Sequence, residues 1–310
     1  MLIAQPGRMG PLALKNRIIM GPMGTNYGTT DGVSTERDKL YYGERAKGGA
    51  AMIITEAMVI TPGARNHTNS LCVFHDRYIP GLAAVVDAIH EGGALATAQL
   101  NHRGALLKRS VLGMEPVTAS DWHNPNTNEP ARALSIPEIG EIQQAYLDCA
   151  RRCYRAGYDA VELHAANGYL FQQFCSPRIN RREDRYGGSV ENRMRLLLET
   201  VALIRAELPG LPLMVRVSAT EYCEGGYSET DMIALCQALE RAGVIAIDMS
   251  GGTNESPELS RYCIQPPSFA RRFLEPYARP IAKAVGIPTI MAGRVIDPRR
   301  RRRDIAGRQR

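Results

Sequence analysis

Short, continuous apolar runs alternate along this chain with segments whose apolar residues recur three and four apart. The runs predict strands over 17–21, 51–55, 94–100, 160–164, 213–217, 246–249 and 289–292. The intervening segments predict helices over 35–47, 79–91, 136–156, 191–208, 229–242 and 269–285. Glycine stands between helix and next strand at Gly48-Gly49, Gly92-Gly93, Gly157, Gly243 and Gly286, where a helix C-cap favours it. Strands without polar alternation, separated by helices, imply a parallel sheet buried on both faces. Seven of them over some 290 residues favour a TIM (β/α)8 barrel over an open doubly wound sheet.

Only seven strands are found. After Gly293-Arg294 sixteen residues remain, too few for a further strand with its helices. The expected architecture is therefore an incomplete α/β barrel, with the last βα unit missing and two apolar edges unpaired. The polar, turn-rich stretch 122–132 (WHNPNTNEPAR) is expected to be a long loop after the third strand, on the face where barrels keep their active sites.

Composition excludes several function classes. The chain carries 38 Lys and Arg against 32 Asp and Glu. Residues 299–310 hold seven arginines and one aspartate, which leaves 31 basic and 31 acidic residues in the rest. A neutral body offers no broad footprint for nucleic acid. The seven cysteines are scattered, form no C-x-x-C pair and follow no secretory signal, so a reduced cytoplasmic setting is expected. No apolar run would span a membrane, and no metal-ligand pattern stands out. The division expected is a barrel over 1–298 and a disordered basic tail over 299–310.

Active-site groups of a barrel come from the C-terminal ends of its strands. In order, those ends read Pro22-Met23-Gly24-Thr25, Glu56-Ala57, Gln99 with His102, His164 with Asn167, Arg216, Ser250-Gly251-Gly252 and Gly293-Arg294. The stretch 162–193 (ELHAANGYLFQQFCSPRINRREDRYGGSVENR) is the densest. Its imidazole, amide and phenol at His164, Asn167 and Tyr169 suit gripping and polarising a carbonyl oxygen while a proton is delivered nearby. Gln99 suits the amide edge of a flat heterocycle, with Arg216 beside an electron-rich position. The backbone around Gly251-Gly252 and Gly293, with Arg294 as clamp, suits a phosphate. His102 touches substrate or fixes its own loop; Tyr27 lines the pocket or packs. A Schiff-base aldolase would need a lysine at a strand end, and none of the seven has one.

The motifs PMGTNYG and YYGERAKGGAAMIITE and the segment 184–195 resemble the old yellow enzyme family, nearest its bacterial 2,4-dienoyl-CoA reductase and enoate reductase branch. That resemblance runs from about residue 2 to 294. It implies FMN as cofactor and NADH or NADPH as reductant. Pro22, Met23, Gly24 and Thr25 would lie along the ring, with Glu56 and Ala57 near them. Gln99 would sit on the pyrimidine edge, Arg216 near N1, and Ser250, Gly251, Gly293 and Arg294 around the phosphate. It further implies a ping-pong reduction of enones, enoates or enoyl thioesters. His164 and Asn167 would hold the substrate oxygen, Tyr169 would supply the proton, and His102 and Tyr27 would line the substrate side. A homo-oligomer is left open. The second reading is a non-catalytic remnant that binds FMN weakly or not at all. The arginine-rich ending resembles no family segment and is expected to arise from a frameshift or premature stop, which an intact eighth βα unit in a neighbouring frame of the gene would test.

Overall fold

A computed structural model describes residues 2–65, 67–109 and 115–296. The expected domain boundary at 298 and the basic tail lie outside the described residues. The strands in chain order are β1 (Gly7–Met9), β2 (Leu12–Leu14), β3 (Ile19–Met20), β4 (Met52–Val59), β5 (Leu95–Asn101), β6 (Val117–Thr118), β7 (Trp122–Asn124), β8 (Glu129–Ala133), β9 (Ala160–Ala165), β10 (Leu213–Ser218), β11 (Ala246–Ser250) and β12 (Thr289–Met291). The helices are α1 (Glu36–Lys47), α2 (Ile79–Glu91), α3 (Ile136–Arg155), α4 (Leu170–Cys175), α5 (Val190–Glu207), α6 (Glu229–Arg241), α7 (Pro257–Ser260) and α8 (Glu275–Ala284).

Seven strands form one parallel sheet in the order β12-β11-β10-β9-β5-β4-β3. This is the expected α/β barrel, nearly closed. Among the described residues β3 and β12 remain its edges, and their side chains are only partly covered. The outward side chains of the strands pack under the helices: Ile53, Leu100, Val161, Leu163, Val215 and Ile247 meet Val85, Ile142, Tyr146, Leu197 and Leu235. A second, smaller core lies inside the barrel. There Met9 and Leu14 of the β1–β2 hairpin pack on Met52, Ile54, Ala160, Met214 and Ala246. The hairpin thus plugs the N-terminal end, below the polar part of the interior.

Helix starts follow local chemistry. Ser135 with Glu138 and Ser228 with Asp231 form capping boxes, and Ser189 caps α5 with Glu191 in its first turn, as expected. Gly49, Gly93, Gly157 and Gly243 take positive φ after their helices. Gly286 does not; its N–H instead donates to Glu240 at 2.8 Å.

Two expectations need correction. The stretch 122–132 is mostly a hairpin: Trp122 pairs with Ala131, His123 with Pro130 and Asn124 with Glu129. Its turn is closed by Asn124, whose Oδ1 accepts from the N–H groups of Asn126 and Thr127, and Asn128 adopts φ 57°. The strands are too short and polar for their period to register. The helix expected from 269 begins only at Glu275, because Phe269 and Phe273 join an aromatic stack with Tyr222, Tyr262 and Tyr277 and Pro276 sets the first turn.

Candidate active site

Register decides which side chains share the barrel interior. Gln99 lies opposite Glu162, His164 opposite Arg216, and Arg216 opposite Asp248. Side chains two apart on a strand share a face. Glu162 and His164 therefore both point inward, as do Asp248 and Ser250. Gln99 Nε2 donates to Glu162 Oε1 at 2.7 Å, and the Arg216 guanidinium is paired with Asp248. Four buried atoms of this layer have no partner within the protein: Glu162 Oε2, His164 Nδ1, Arg216 Nε and Asp248 Oδ1. Burying polar atoms unpaired is costly. Their gathering on the inward face of neighbouring strands suits a ligand's polar edge.

Above that layer the loop after β9 turns back. His164 and Tyr169 meet edge to face, ring centroids 4.7 Å apart. Burial, reinforced by Arg216, holds the His164 imidazole well below its ordinary pKa, so it is neutral. Burial raises the Tyr169 phenol although Arg103 pulls the other way, so it keeps its proton. A neutral imidazole and a protonated phenol side by side are two donors available to one oxygen and one carbon.

Asn167 sits between them in the sequence but is held differently. It adopts φ 60°, its N–H donates to Ser218 Oγ, and its Nδ2 donates to Ser250 Oγ (3.0 Å) and Gly251 O (3.1 Å). It ties the tips of β9, β10 and β11 together. His102 is also engaged. Its Nδ1 accepts from the Gly104 N–H and its carbonyl from the Leu170 N–H, and burial pulls its pKa down to about 4. It fixes its own loop. Tyr27 packs on α1, edge-on to Tyr41 and beneath the Arg37 guanidinium.

The first strand tip is pinned by Glu56. Its Oε2 accepts from the N–H (2.7 Å) and hydroxyl (2.6 Å) of Thr25, and its Oε1 from the Leu71 N–H. Both carboxylate oxygens are thus used within the protein, and Glu56 acts by holding the loop. Pro22 is half-buried, Met23 is 51% exposed and Gly24 is open to solvent at the barrel mouth. Gly21 approaches Arg216 closely enough that a Cβ there would lie 3.9 Å from Nη1. Ala57 follows a bulge in β4 and stands level with Gln99.

The glycines expected around a phosphate are closely packed on the side where a Cβ would stand. A Cβ on Gly251 would lie 2.9 Å from both Leu274 and Tyr222, and one on Gly252 2.8 Å from Tyr262. A Cβ on Gly293 would lie 3.3 Å from Gln265 and Leu274. Arg294 donates to the carbonyls of Pro267 and Phe269. The unpartnered polar atoms of this layer fit a flavin's amide edge; the segment after β11 packs against Gly251, Gly252 and Gly293 and binds the Arg294 side chain.

Sequence reasoning missed Glu162, Asp248 and Arg103. The first two carried a readable signal: a charge in an otherwise apolar strand, two residues from a side chain already assigned to the cavity. Arg103, beside Tyr169 and His67, carried none. Among the described residues no group of three or more His, Cys, Asp or Glu could hold a metal, and no helix is long and apolar enough to cross a membrane.

A parallel barrel with an amide, an imidazole, a phenol and a guanidinium converging at its strand tips defines a class, the flavin-binding barrel oxidoreductases. Residues 3–304 match the NADH:flavin oxidoreductase / NADH oxidase family, and the chain belongs to it. This is the old yellow enzyme family, in which FMN is the cofactor and NADH or NADPH the reductant. An NADH oxidase of Thermoanaerobacter brockii is 38% identical over 296 residues, 94% of this chain and 45% of that one. A 2-naphthoyl-CoA reductase, solved as its 2-naphthoyl-CoA complex, superposes with a TM-score of 0.91 at 27% identity, covering 99% of this chain and 48% of the other. The old yellow enzyme homologue from Zymomonas mobilis gives 0.79 at 28% identity over 100% and 94%. The chain thus spans about half the length of the first two.

Proposed function

We propose that this chain is the FMN-binding barrel of an ene-reductase that reduces the C=C bond of α,β-unsaturated carbonyl compounds with NADH or NADPH, the two substrates alternating on one face. The observation that carries the reading is the contact of a neutral His164 with a protonated Tyr169 above unpartnered polar atoms of the barrel interior. Bound FMN supplies the hydride chemistry. Gln99 and Arg216 would hold the edge of the ring, and Pro22, Met23, Gly24, Thr25 and Ala57 would border it. His164 donates to the substrate carbonyl oxygen, which gains negative charge as the β-carbon is attacked. Asn167 joins it once its amide turns from Ser250, and otherwise keeps the three strand tips in register. Tyr169 delivers the proton to the α-carbon, which balances the hydride.

Among enones, free enoates and enoyl thioesters, the naphthoyl thioester of the structural neighbour favours a thioester for this chain. The test is direct. Purified chain supplied with FMN should be yellow, bleach with NAD(P)H and regain colour with an enone or enoyl thioester. The alternative is a remnant that holds FMN weakly. A colourless, aggregating product that no added FMN restores would establish that alternative.

A further inference from the structure

Glu162 and Asp248 lie on either side of Arg216 inside the barrel, 0% and 1% exposed. With both carboxylates ionised the layer would hold one net negative charge away from water, which is strongly unfavourable. The other groups facing Glu162 do not correct this. β5 presents uncharged Thr97 and Gln99, β10 presents Met214 and Arg216, β11 presents Asp248, and His164 on the same strand is neutral. Asp248 has the guanidinium to itself, whereas Glu162 has only the Gln99 amide.

We propose that Glu162 is a proton-holding positioning residue of the ring site: as a neutral acid it keeps the layer uncharged, and its Oε1 turns the Gln99 amide so that the Gln99 carbonyl faces the ring. This rests on the ene-reductase reading for the identity of the ring. A neutral carboxyl has one oxygen that accepts and one that carries the proton. Oε1 takes the Gln99 N–H, so the proton belongs on Oε2, the atom without a protein partner. Burial and the nearby Asp248 push the acid up to about 8, against the pull of Arg216 and Gln99. Negative charge developing on a ring above Arg216 would raise it further, so reduction above that pH draws one more proton into the site.

The first measurement needs no flavin. Infrared titration of the flavin-free chain should show a protonated-carboxyl band that bleaches near pH 8 and is missing from Glu162→Gln, beside the component of buried Glu221, which is raised to about 7 and remains in both. Absence of the band in the wild-type chain, or its persistence unchanged in the variant, would overturn the proposal. The second uses the FMN-loaded chain. Its midpoint potential should steepen above about pH 8 by one proton per two electrons in the wild type and not in Glu162→Gln, which mimics the neutral acid. Identical pH slopes in the two would equally overturn it. If the chain fails to hold FMN, the functional reading fails while the infrared result still decides the role of Glu162.

Discussion

The two ends of the barrel mouth are built on opposite principles. At the ring end, four neighbouring strands, β5, β9, β10 and β11, place Gln99, Glu162, His164, Arg216 and Asp248 at registered positions and leave several of their atoms without partners. At the phosphate end, Gly251, Gly252 and Gly293 are packed against Tyr222, Tyr262 and Leu274, and Arg294 is tied to two backbone carbonyls. Strand pairing is rigid, so the first set persists without a ligand. The second depends on the long segment after β11, which packs closely against these glycines and takes up the Arg294 guanidinium.

The largest effect should come from breaking the rigid end. Arg216→Met leaves Asp248 buried without its cation and should lower unfolding stability by about 3–5 kcal/mol, read by urea titration; a loss under 1 kcal/mol would show that the pair is not desolvated. His164→Ala should reduce enone turnover by about 10²–10³-fold while reduction of bound FMN by NAD(P)H continues, separable by stopped-flow absorbance. Equal losses in both half-reactions would remove His164 from the substrate oxygen. Tyr169→Phe should slow only the reoxidation by enone, by about 10²-fold, with little change in the reductive half.

Substitution at the phosphate end should behave differently. Arg294→Ala removes two charge-assisted bonds and should lower the stability of the flavin-free chain by about 2 kcal/mol, while leaving FMN affinity unchanged or improved. A tenfold or greater loss of affinity in equilibrium dialysis would restore Arg294 to the phosphate and erase the contrast between the two ends.

The smallest effect is a pH slope. Burial raises Glu162 from 4.5 to about 8, so between those values the folded chain holds a proton that the unfolded chain has released, and stability falls as pH rises. The limit is about 1.4 kcal/mol per pH unit. His102 and His164, depressed by burial, act oppositely and only below about pH 6.5. Chemical denaturation from pH 6.5 to 8 should therefore show a decline in the wild type that Glu162→Gln makes shallower, with buried Glu221, raised to about 7, keeping a residual slope at the lower end.

Much of this was legible in the residues. Apolar runs bounded by glycine located every barrel strand, because a strand buried on both faces carries few polar positions. Serine and acid at helix starts marked the caps. The hairpin β7–β8 was not legible, since three-residue polar strands carry no period, nor was the late start of α8, which the aromatic stack of Tyr222, Tyr262 and Phe273 decides. At the site, the residue types at 99, 164, 169 and 216 declared their chemistry through position alone, at or after strand ends.

What the sequence by itself determined is the parallel barrel and the roster of polar groups at its tips, because both follow from local periodicity. What only the tertiary structure decided is how those groups are employed: Glu56 holding the first loop, Asn167 and His102 bonded inward, Gly251, Gly252 and Gly293 closely packed, and Glu162 set against Asp248 across one arginine. Those relations join residues far apart in the chain. They depend on register and burial, which no local pattern of side chains encodes.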